Sequence, residues 1–504
     1  MSLFQTKPVA TLIVESIGHE HGGMKRELNA LNLISLGIGS VVGAGIFVLA
    51  GTSAALYAGP AIVMSYILCG ISCLFAGLCY AEFATMIPVA GSAYTYTYAT
   101  MGEFLAWIIG WDLILEYLFS GAAVAVSWSG AVQGLLGEFG ITLPSFIGSA
   151  PFAIDRAHMV TTNFGLFAFE HHPLIATGTL INLPAVFISL ALTVVLVIGI
   201  KASANFNNTM VLIKVGVLLV LMAYGAWWML GHQDIVAANW TPFIPANNGT
   251  FGEFGWSGVF KGSAVIFFAY VGFDNVSCAA QEAKNPQRDM PIGLLGTLAV
   301  CSFLFIGVSL VLTGMVKYTG LKVDAPFIFA LQQVHAPAAL RFSIEIATLA
   351  GLTSVALISL LGQPRIFFSM AKDGLLPACF SRLHPRFRTP YLATILTGIV
   401  CAIVAGLLPL DLLGELISIG TLMAFALVCL GVWVLRVKRP DLSRPFRTPW
   451  LPIVSILGVA TCVLQMFMLP PDTWLRLAIW MALGFAVYFG YSVRHSTLRH
   501  GPRK

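Results

Sequence analysis

Four ionisable residues lie inside long apolar stretches of the sequence, where a charged side chain is costly to bury. Asp112 and Glu116 are four residues apart and therefore share one face of a helix. Asp274 stands near the middle of a second stretch, and Lys214 stands in a third, roughly 13 Å of helical rise from its nearer end. Charges at such depth mark substrate or ion pathways in membrane proteins, so all four are candidate functional residues.

Two stretches also contain residues that interrupt helices. The first has four glycines between residues 37 and 45, and the second has Gly272 followed by an Asp-Asn pair at 274–275. The spacing of Gly39 and Gly43 also suits close packing of two helices, which is the alternative interpretation. The Asp-Asn pair in the second stretch favours interruption, because packing has no use for a carboxylate at mid-membrane. We therefore expect two broken helices.

An unwound stretch exposes N–H groups at the start of one half-helix and carbonyl groups at the end of the other. The N–H groups suit a carboxylate and the carbonyls suit an ammonium group, so together they match the head of an α-amino acid. The predicted N–H donors are those of Gly43, Ala44 and Gly45. The predicted carbonyl acceptors lie near Val41, Phe268, Ala269 and Val271.

The charged residues beside these breaks are given specific roles. Burial disfavours the charged form of a lysine, which lets such a residue exchange its proton. An ammonium group at Lys214, beside the carbonyls of the first broken helix, would take the place of a bound Na⁺. The alternative is that Lys214 extends its side chain to the membrane surface. Asp274 is expected to cap the second half of its helix.

These residues must be positioned by membrane-spanning helices, because the composition excludes a soluble protein. Of the 504 residues 58% are apolar and only 10% are charged, whereas soluble domains have about 25% charged residues. Each span needs about 20 mostly apolar residues. The sequence predicts twelve spans at 29–50, 59–87, 104–131, 181–200, 206–231, 257–280, 291–316, 343–370, 391–409, 412–436, 449–470 and 473–493.

The positive charges predict the orientation of these spans. With the N-terminus in the cytoplasm, 20 of the 27 Lys and Arg residues fall on the inner side and six on the outer side. Both termini are therefore predicted to be cytoplasmic, in a multi-pass protein of the cell membrane. Residues 1–24 lack the apolar core of a secretory signal. The two longest connections, 133–180 and 231–256, are expected to be ordered or semi-ordered loops.

Broken helices at the first and sixth spans predict two five-helix units of opposite orientation, which is typical of secondary transporters. The predicted divisions are a tail at 1–24, units at 25–231 and 232–436, two further helices at 437–493, and a tail at 494–504. The sequence contains no Ser-His-Asp arrangement, clustered His ligands or phosphate-binding glycine loop, which disfavours an enzyme. A channel is disfavoured by the paired breaks. We predict no cofactor, metal or nucleic-acid partner.

Five motifs of this sequence resemble the amino acid–polyamine–organocation superfamily. They are most similar to its cationic amino acid transporter family, in particular to bacterial members. The resemblance covers about residues 25–495 and depends on the motifs at 39–47, 76–83, 110–117, 268–274 and 370–377.

The resemblance implies an all-α, LeuT-like fold with two inverted repeats and broken helices 1 and 6. It implies that L-amino acids bind at the breaks and that Lys214 occupies the position of sodium in related transporters. It also implies that Glu116 faces the substrate and that Ser354 lines the side-chain pocket. A small accessory membrane subunit is an open possibility.

The predicted function is proton-coupled import of cationic or small neutral L-amino acids. Two alternatives stay open, which are an amino acid exchanger and a polyamine permease without proton coupling. A sodium-coupled transporter is disfavoured, because an ammonium group at Lys214 would repel the ion.

Overall fold

A computed structural model describes most of the chain, namely residues 3, 5–8, 28–89, 91–144, 146–155, 160–164, 167–171, 173–198, 204–323, 325–385 and 389–500. The predicted N-terminal tail therefore lies largely outside the described residues, as do the last residues of the C-terminal tail. The helices of the first half are α1 (Ala30–Val41), α2 (Ala50–Ser53), α3 (Ile62–Met86), α4 (Ser92–Thr100), α5 (Glu103–Glu138), α6 (Leu183–Ile198), α7 (Ala204–Gly231) and α8 (Gln233–Trp240).

The second half is also helical, and several of its helices begin at a proline, which suits the first helical turn. These helices are α9 (Gly255–Ile266), α10 (Asn275–Cys278), α11 (Pro286–Met315), α12 (Pro326–Gln333), α13 (Ala338–Lys372), α14 (Tyr391–Leu407), α15 (Leu410–Lys438), α16 (Leu451–Met468), α17 (Pro471–Val487), α18 (Val493–His495) and α19 (Thr497–His500). Among the described residues, nine helical runs are long and apolar enough to cross a membrane. Three shorter apolar helices, α1, α6 and α14, accompany them.

The two long connections, predicted to be ordered or semi-ordered loops, contain regular elements. Four short strands occupy the first of them, β1 (Phe152–Ile154), β2 (Val160–Phe164), β3 (Phe167–His171) and β4 (Leu174–Ala176). β1 pairs with β4 and β2 with β3, both antiparallel. The second connection contains α8. The four strands were not predicted from the sequence, because backbone pairing across a connection leaves no helical or long apolar pattern in the sequence.

Helical geometry is lost at two places in the first and second halves of the chain. α1 is capped by Asn29, whose side chain accepts from the Asn32 N–H at 2.9 Å, and it ends at Val41. The helix resumes with a π-helical turn at Gly45–Leu49. In the second half α9 passes into a 3₁₀ turn at Phe267–Tyr270, and regular structure resumes only with α10.

The two interrupted segments cross in direct backbone contact, and two glycines make this possible. A Cβ added to Gly45 would lie 2.3 Å from the Ala269 Cα. Gly272 has a positive φ of 109°, which favours glycine, and its position lies against the backbone of Ser40. Side chains at these two positions would separate the breaks.

A buried ion cluster fixes α3 against the end of α15. The Glu82 carboxylate pairs with the Arg436 guanidinium and lies 3.5 Å from Arg444 Nε. It also accepts from the Thr448 N–H at 2.8 Å. The Glu82 side chain is 1% exposed and that of Arg444 is 4% exposed, so each charge depends on the other for compensation.

Both ends of the described chain attach to the same side of the helix bundle. The Phe104 N–H donates to the Leu3 carbonyl at 3.1 Å. Arg499 Nε donates to the buried Glu103 carboxylate at 2.8 Å. We call this side of the bundle the terminal side.

We predict that Gly45→Ala destabilises the protein by about 1–3 kcal/mol or more, because the new methyl group overlaps the Ala269 backbone. The measurement is thermal unfolding of the detergent-purified protein. Gly216→Ala is the matched control, since no atom lies within 4 Å of the methyl group it would add. Equal melting temperatures for the two variants would contradict the close crossing.

We predict that Glu82→Gln lowers the free energy of unfolding by about 3–5 kcal/mol, because it leaves buried arginine charge uncompensated. Asp441→Asn removes the partner of Arg439 in an exposed pair and is expected to have no measurable effect. Chemical or thermal unfolding in detergent measures the stability of the two variants. A Glu82→Gln protein as stable as Asp441→Asn would show that the cluster does not hold these helices.

Candidate functional site

Lys214 reaches the carbonyl end of α1 at the first break. Its Nζ donates to the Gly39 carbonyl at 2.9 Å and to the Val42 carbonyl at 3.3 Å. The residue is 0% exposed, so the alternative in which it extends to the membrane surface does not hold. A cation at this position is stabilised by the carbonyl dipoles that accumulate at the end of a helix. The lysine thus supplies hydrogen bonds to carbonyls at the break, and these carbonyls stabilise its charge.

The N–H groups predicted to bind a carboxylate begin the helical run after the first break. Gly43, Ala44 and Gly45 directly precede or open the π-helical turn, where the first N–H groups lack partners within the helix. The Gly43 carbonyl accepts from the N–H groups of Ile46 and Phe47, both at 3.2 Å. This turn orients the donors that the sequence predicts.

The predicted carbonyl acceptors differ in their availability. The Val41 carbonyl belongs to the last residue of α1, at the edge of the break. The Phe268 carbonyl already accepts from the Val271 N–H at 3.2 Å, and Ala269 packs against Gly45. Val271 lines a small cavity beside the second break. Among the four acceptors, Val271 therefore has the most direct access to open space.

Asp274 is buried beside the second break but does not cap α10. Its side chain makes no capping hydrogen bond, and its backbone is helical, with φ −69° and ψ −19°. An N-cap needs an extended backbone to turn its side chain toward the free N–H groups, so the capping prediction was wrong. The Ser92 hydroxyl donates to Oδ2 at 3.5 Å, and no described group pairs with Oδ1.

The small cavity lies between the two breaks, α5 and α13, and its lining is mainly polar. Glu116 contributes the one charged side chain among the lining residues, and its Oε2 has no hydrogen-bond partner in the described chain. The other lining residues are Ser40, Tyr117, Ser120, Val271, Gly272, Asn275 and Ser359. Glu116 and Val271 are the two predicted site residues that meet here. The arrangement can accept hydrogen bonds from a small polar group.

Five polar side chains of this lining were not identified as site residues from the sequence. Ser120 had a usable signal, because it follows Glu116 by four residues and must share its helix face. Its hydroxyl is 3.3 Å from that of Ser359 on α13. Serines in apolar helices are common, so a contact between helices was needed to distinguish these two.

Ser354 and Asp112, two further predicted candidates, also lie outside the cavity lining. Ser354 donates to the Gly351 carbonyl of its own helix at 3.3 Å. Asp112 is buried against α15, where a Cβ on Gly420 would lie 2.6 Å from its Oδ1. Neither carboxylate oxygen of Asp112 has a partner within the described residues. Throughout the described residues, no three His, Cys, Asp or Glu side chains come close enough together to hold a metal ion.

Comparisons with known proteins agree with this architecture. The family model described as "Amino acid permease" matches residues 28–488. The chain is 43% identical to the methylthioribose transporter of Bacillus subtilis and 42% identical to its branched-chain amino acid permease, in both cases over 99% of either chain. It is 34% identical to the vacuolar cationic amino acid transporter 4 of Arabidopsis thaliana, over 83% of this chain and 64% of that protein. These relatives are transporters rather than enzymes, and the chain belongs to the amino acid permease family of the amino acid–polyamine–organocation superfamily.

Proposed function

We propose that this permease imports L-amino acids across the cell membrane by proton-coupled alternating access. The observation that carries the proposal is the direct backbone crossing of two interrupted helices, with Lys214 bonded to the carbonyl end of one of them. The nine long helical runs and three shorter apolar helices support twelve spans. Two five-helix repeats, at 25–231 and 232–436, then precede the last two spans. The charge bias supports a cytoplasmic position of the terminal side.

The amino acid head is proposed to bind between the breaks. Its carboxylate would accept from the N–H groups of Gly43, Ala44 and Gly45, where the helix restarts. Its ammonium group would donate to carbonyls at Val41 and Val271, because these stand at the two interrupted ends. Both sets belong to the backbone, so the head would be recognised in any L-amino acid, and selectivity would depend on the side chains around it.

Proton coupling is proposed to act through Lys214. In the charged form, the ammonium group attracts the two carbonyls that it bonds at the end of α1 and holds this half-helix against α7. Loss of the proton removes the charge but not the side chain, which weakens that attraction. The protonation state of one buried lysine would thereby bias the position of the first broken helix. A Na⁺ at the same carbonyls would be repelled by the ammonium group.

The side-chain preference is proposed to be neutral and aliphatic. Support comes from the 42% identity to a branched-chain amino acid permease over nearly the whole chain. The unpartnered Glu116 oxygen in the cavity is the feature that favours the cationic alternative. A carboxylate there would attract the charged end of arginine or lysine.

We predict that an inward proton gradient stimulates uptake of radiolabelled L-leucine into proteoliposomes, and that Lys214→Ala abolishes this stimulation. The physical reason is that alanine can neither bind the Gly39 and Val42 carbonyls nor carry a proton. Lys214→Arg keeps the charge but does not release it, so we expect exchange without gradient-driven uptake.

The matched control is Lys317→Ala, which removes an exposed lysine and is expected to keep the gradient effect. If the proton gradient changed uptake neither in the wild type nor in Lys214→Ala, coupling through this residue would be excluded. That result would favour an amino acid exchanger.

We predict that unlabelled L-leucine, L-isoleucine and L-alanine compete for uptake more strongly than L-arginine, putrescine or methylthioribose. Glu116→Gln is expected to change the apparent affinity for L-leucine less than threefold, because a neutral side chain gains little from the carboxylate. Strong competition by arginine that is lost in Glu116→Gln would instead support a cationic substrate. Competition by putrescine or methylthioribose alone would exclude the amino acid assignment.

A further inference from the structure

We infer that Asn275 joins Ser40 and Tyr117 into a hydrogen-bonded latch that closes the binding site toward the cytoplasm and must open for substrate release. The inference rests on the proposed transport function and its orientation. The Asn275 Nδ2 donates to the Ser40 hydroxyl at 2.8 Å, and its Oδ1 accepts from the Tyr117 hydroxyl. One amide thus connects α1, α10 and α5.

The latch lies on the terminal side of both breaks. α1 enters its break from the terminal side, and Ser40 precedes the end of this helix by one residue. Asn275 is the first residue of α10, which follows the second break and leads toward the same side. All three latch residues also line the small cavity.

The two ends of the latch are held differently. Tyr117 is fixed against α13, because its ring occupies the gap at Gly362, where an added Cβ would lie 2.4 Å from the ring. Ser40 and Asn275 instead belong to the two interrupted helices, which have short regular segments on this side of their breaks. A motion of these segments away from α5 would therefore break the hydrogen bond between Asn275 and Tyr117.

The chemistry of the latch suits a contact that must open repeatedly. All its groups are neutral, so opening leaves no uncompensated charge, and water that enters can replace each hydrogen bond. A second contact lies farther toward the terminal side, where Arg365 of α13 is 4.0 Å from Glu282. The side chains of this outer pair are 42% and 29% exposed, so water already reaches it. The latch is the inner and drier of the two contacts.

A native cysteine reports on the latch. The Cys278 Sγ lies 3.6 Å from the Tyr117 hydroxyl, and this thiol is free and half-buried. It lies on α10, one helical turn beyond Asn275. Opening of the latch should expose it to reagents from the cytoplasm.

The experiment uses the full-length chain with Cys278 as its single cysteine, in inside-out membrane vesicles. A membrane-impermeant methanethiosulfonate reagent is added, and the rate of Cys278 modification is measured. Ser40→Ala removes one hydrogen bond without touching Cys278, and we expect the rate to rise about tenfold. Tyr117→Phe, which keeps the ring, is expected to act in the same direction.

The matched control is Ser309→Ala, which removes a buried hydroxyl that bonds its own helix at the Phe305 carbonyl, 2.6 Å away. Cys278 in this variant should be modified at the wild-type rate. The latch would be overturned if Cys278 were modified at the wild-type rate in both Ser40→Ala and Tyr117→Phe. It would also be overturned if Ser309→Ala raised the modification rate as much as these two variants do. Labelling needs no substrate, so the outcome is separate from that of the uptake assays. If the latch variants raise the labelling rate but the protein takes up no amino acid, only the proposed function is overturned. If the protein takes up amino acids but the latch variants label at the wild-type rate, only this inference is overturned.

Discussion

The structure depends on one constraint, which is that every backbone polar group inside a membrane must find a partner within the protein. Among the described residues, two helices are interrupted where they cross each other, and each break needs compensation. At the first break, the Lys214 ammonium group satisfies two carbonyls at the end of α1. At the second, the 3₁₀ turn pairs the Val271 N–H with the Phe268 carbonyl. Backbone N–H and carbonyl groups at the breaks that have no partner within the protein are available to hydrogen-bond a polar substrate.

The crossing of the breaks requires both close contact and firm support. Gly45 and Gly272 let the two backbones touch, and a larger residue at either position would force them apart. Farther from the crossing, the Glu82 cluster ties α3 to the segment after α15, and Glu103 anchors the C-terminal segment to the start of α5. The ion pairs that fix the outer parts of the bundle are therefore separate from the neutral contacts near the breaks. Such a division allows the interrupted helices to move while the remaining helices stay packed.

Three buried carboxylates, two of them beside the breaks, form no ion pair within the described residues. Glu116, Asp112 and Asp274 each have at least one oxygen without a partner in the described chain. Lys214 does not neutralise them, because its described bonds go to the backbone of α1. An unpaired carboxylate is unstable in a dry site, so a proton, a water molecule or a substrate group must compensate each of them in the working protein.

The sequence by itself determined the membrane class, the apolar helices and the two interruptions. These features follow from composition and from the order of residues along single helices, which local patterns record. Only the tertiary structure decided which carbonyls Lys214 reaches, that Asp274 does not cap α10, and that Ser359 rather than Ser354 lines the cavity. It also revealed the strand pairs between α5 and α6. Each of these depends on the rotation of one helix against another or on pairing between distant segments, and a single sequence carries no direct record of either.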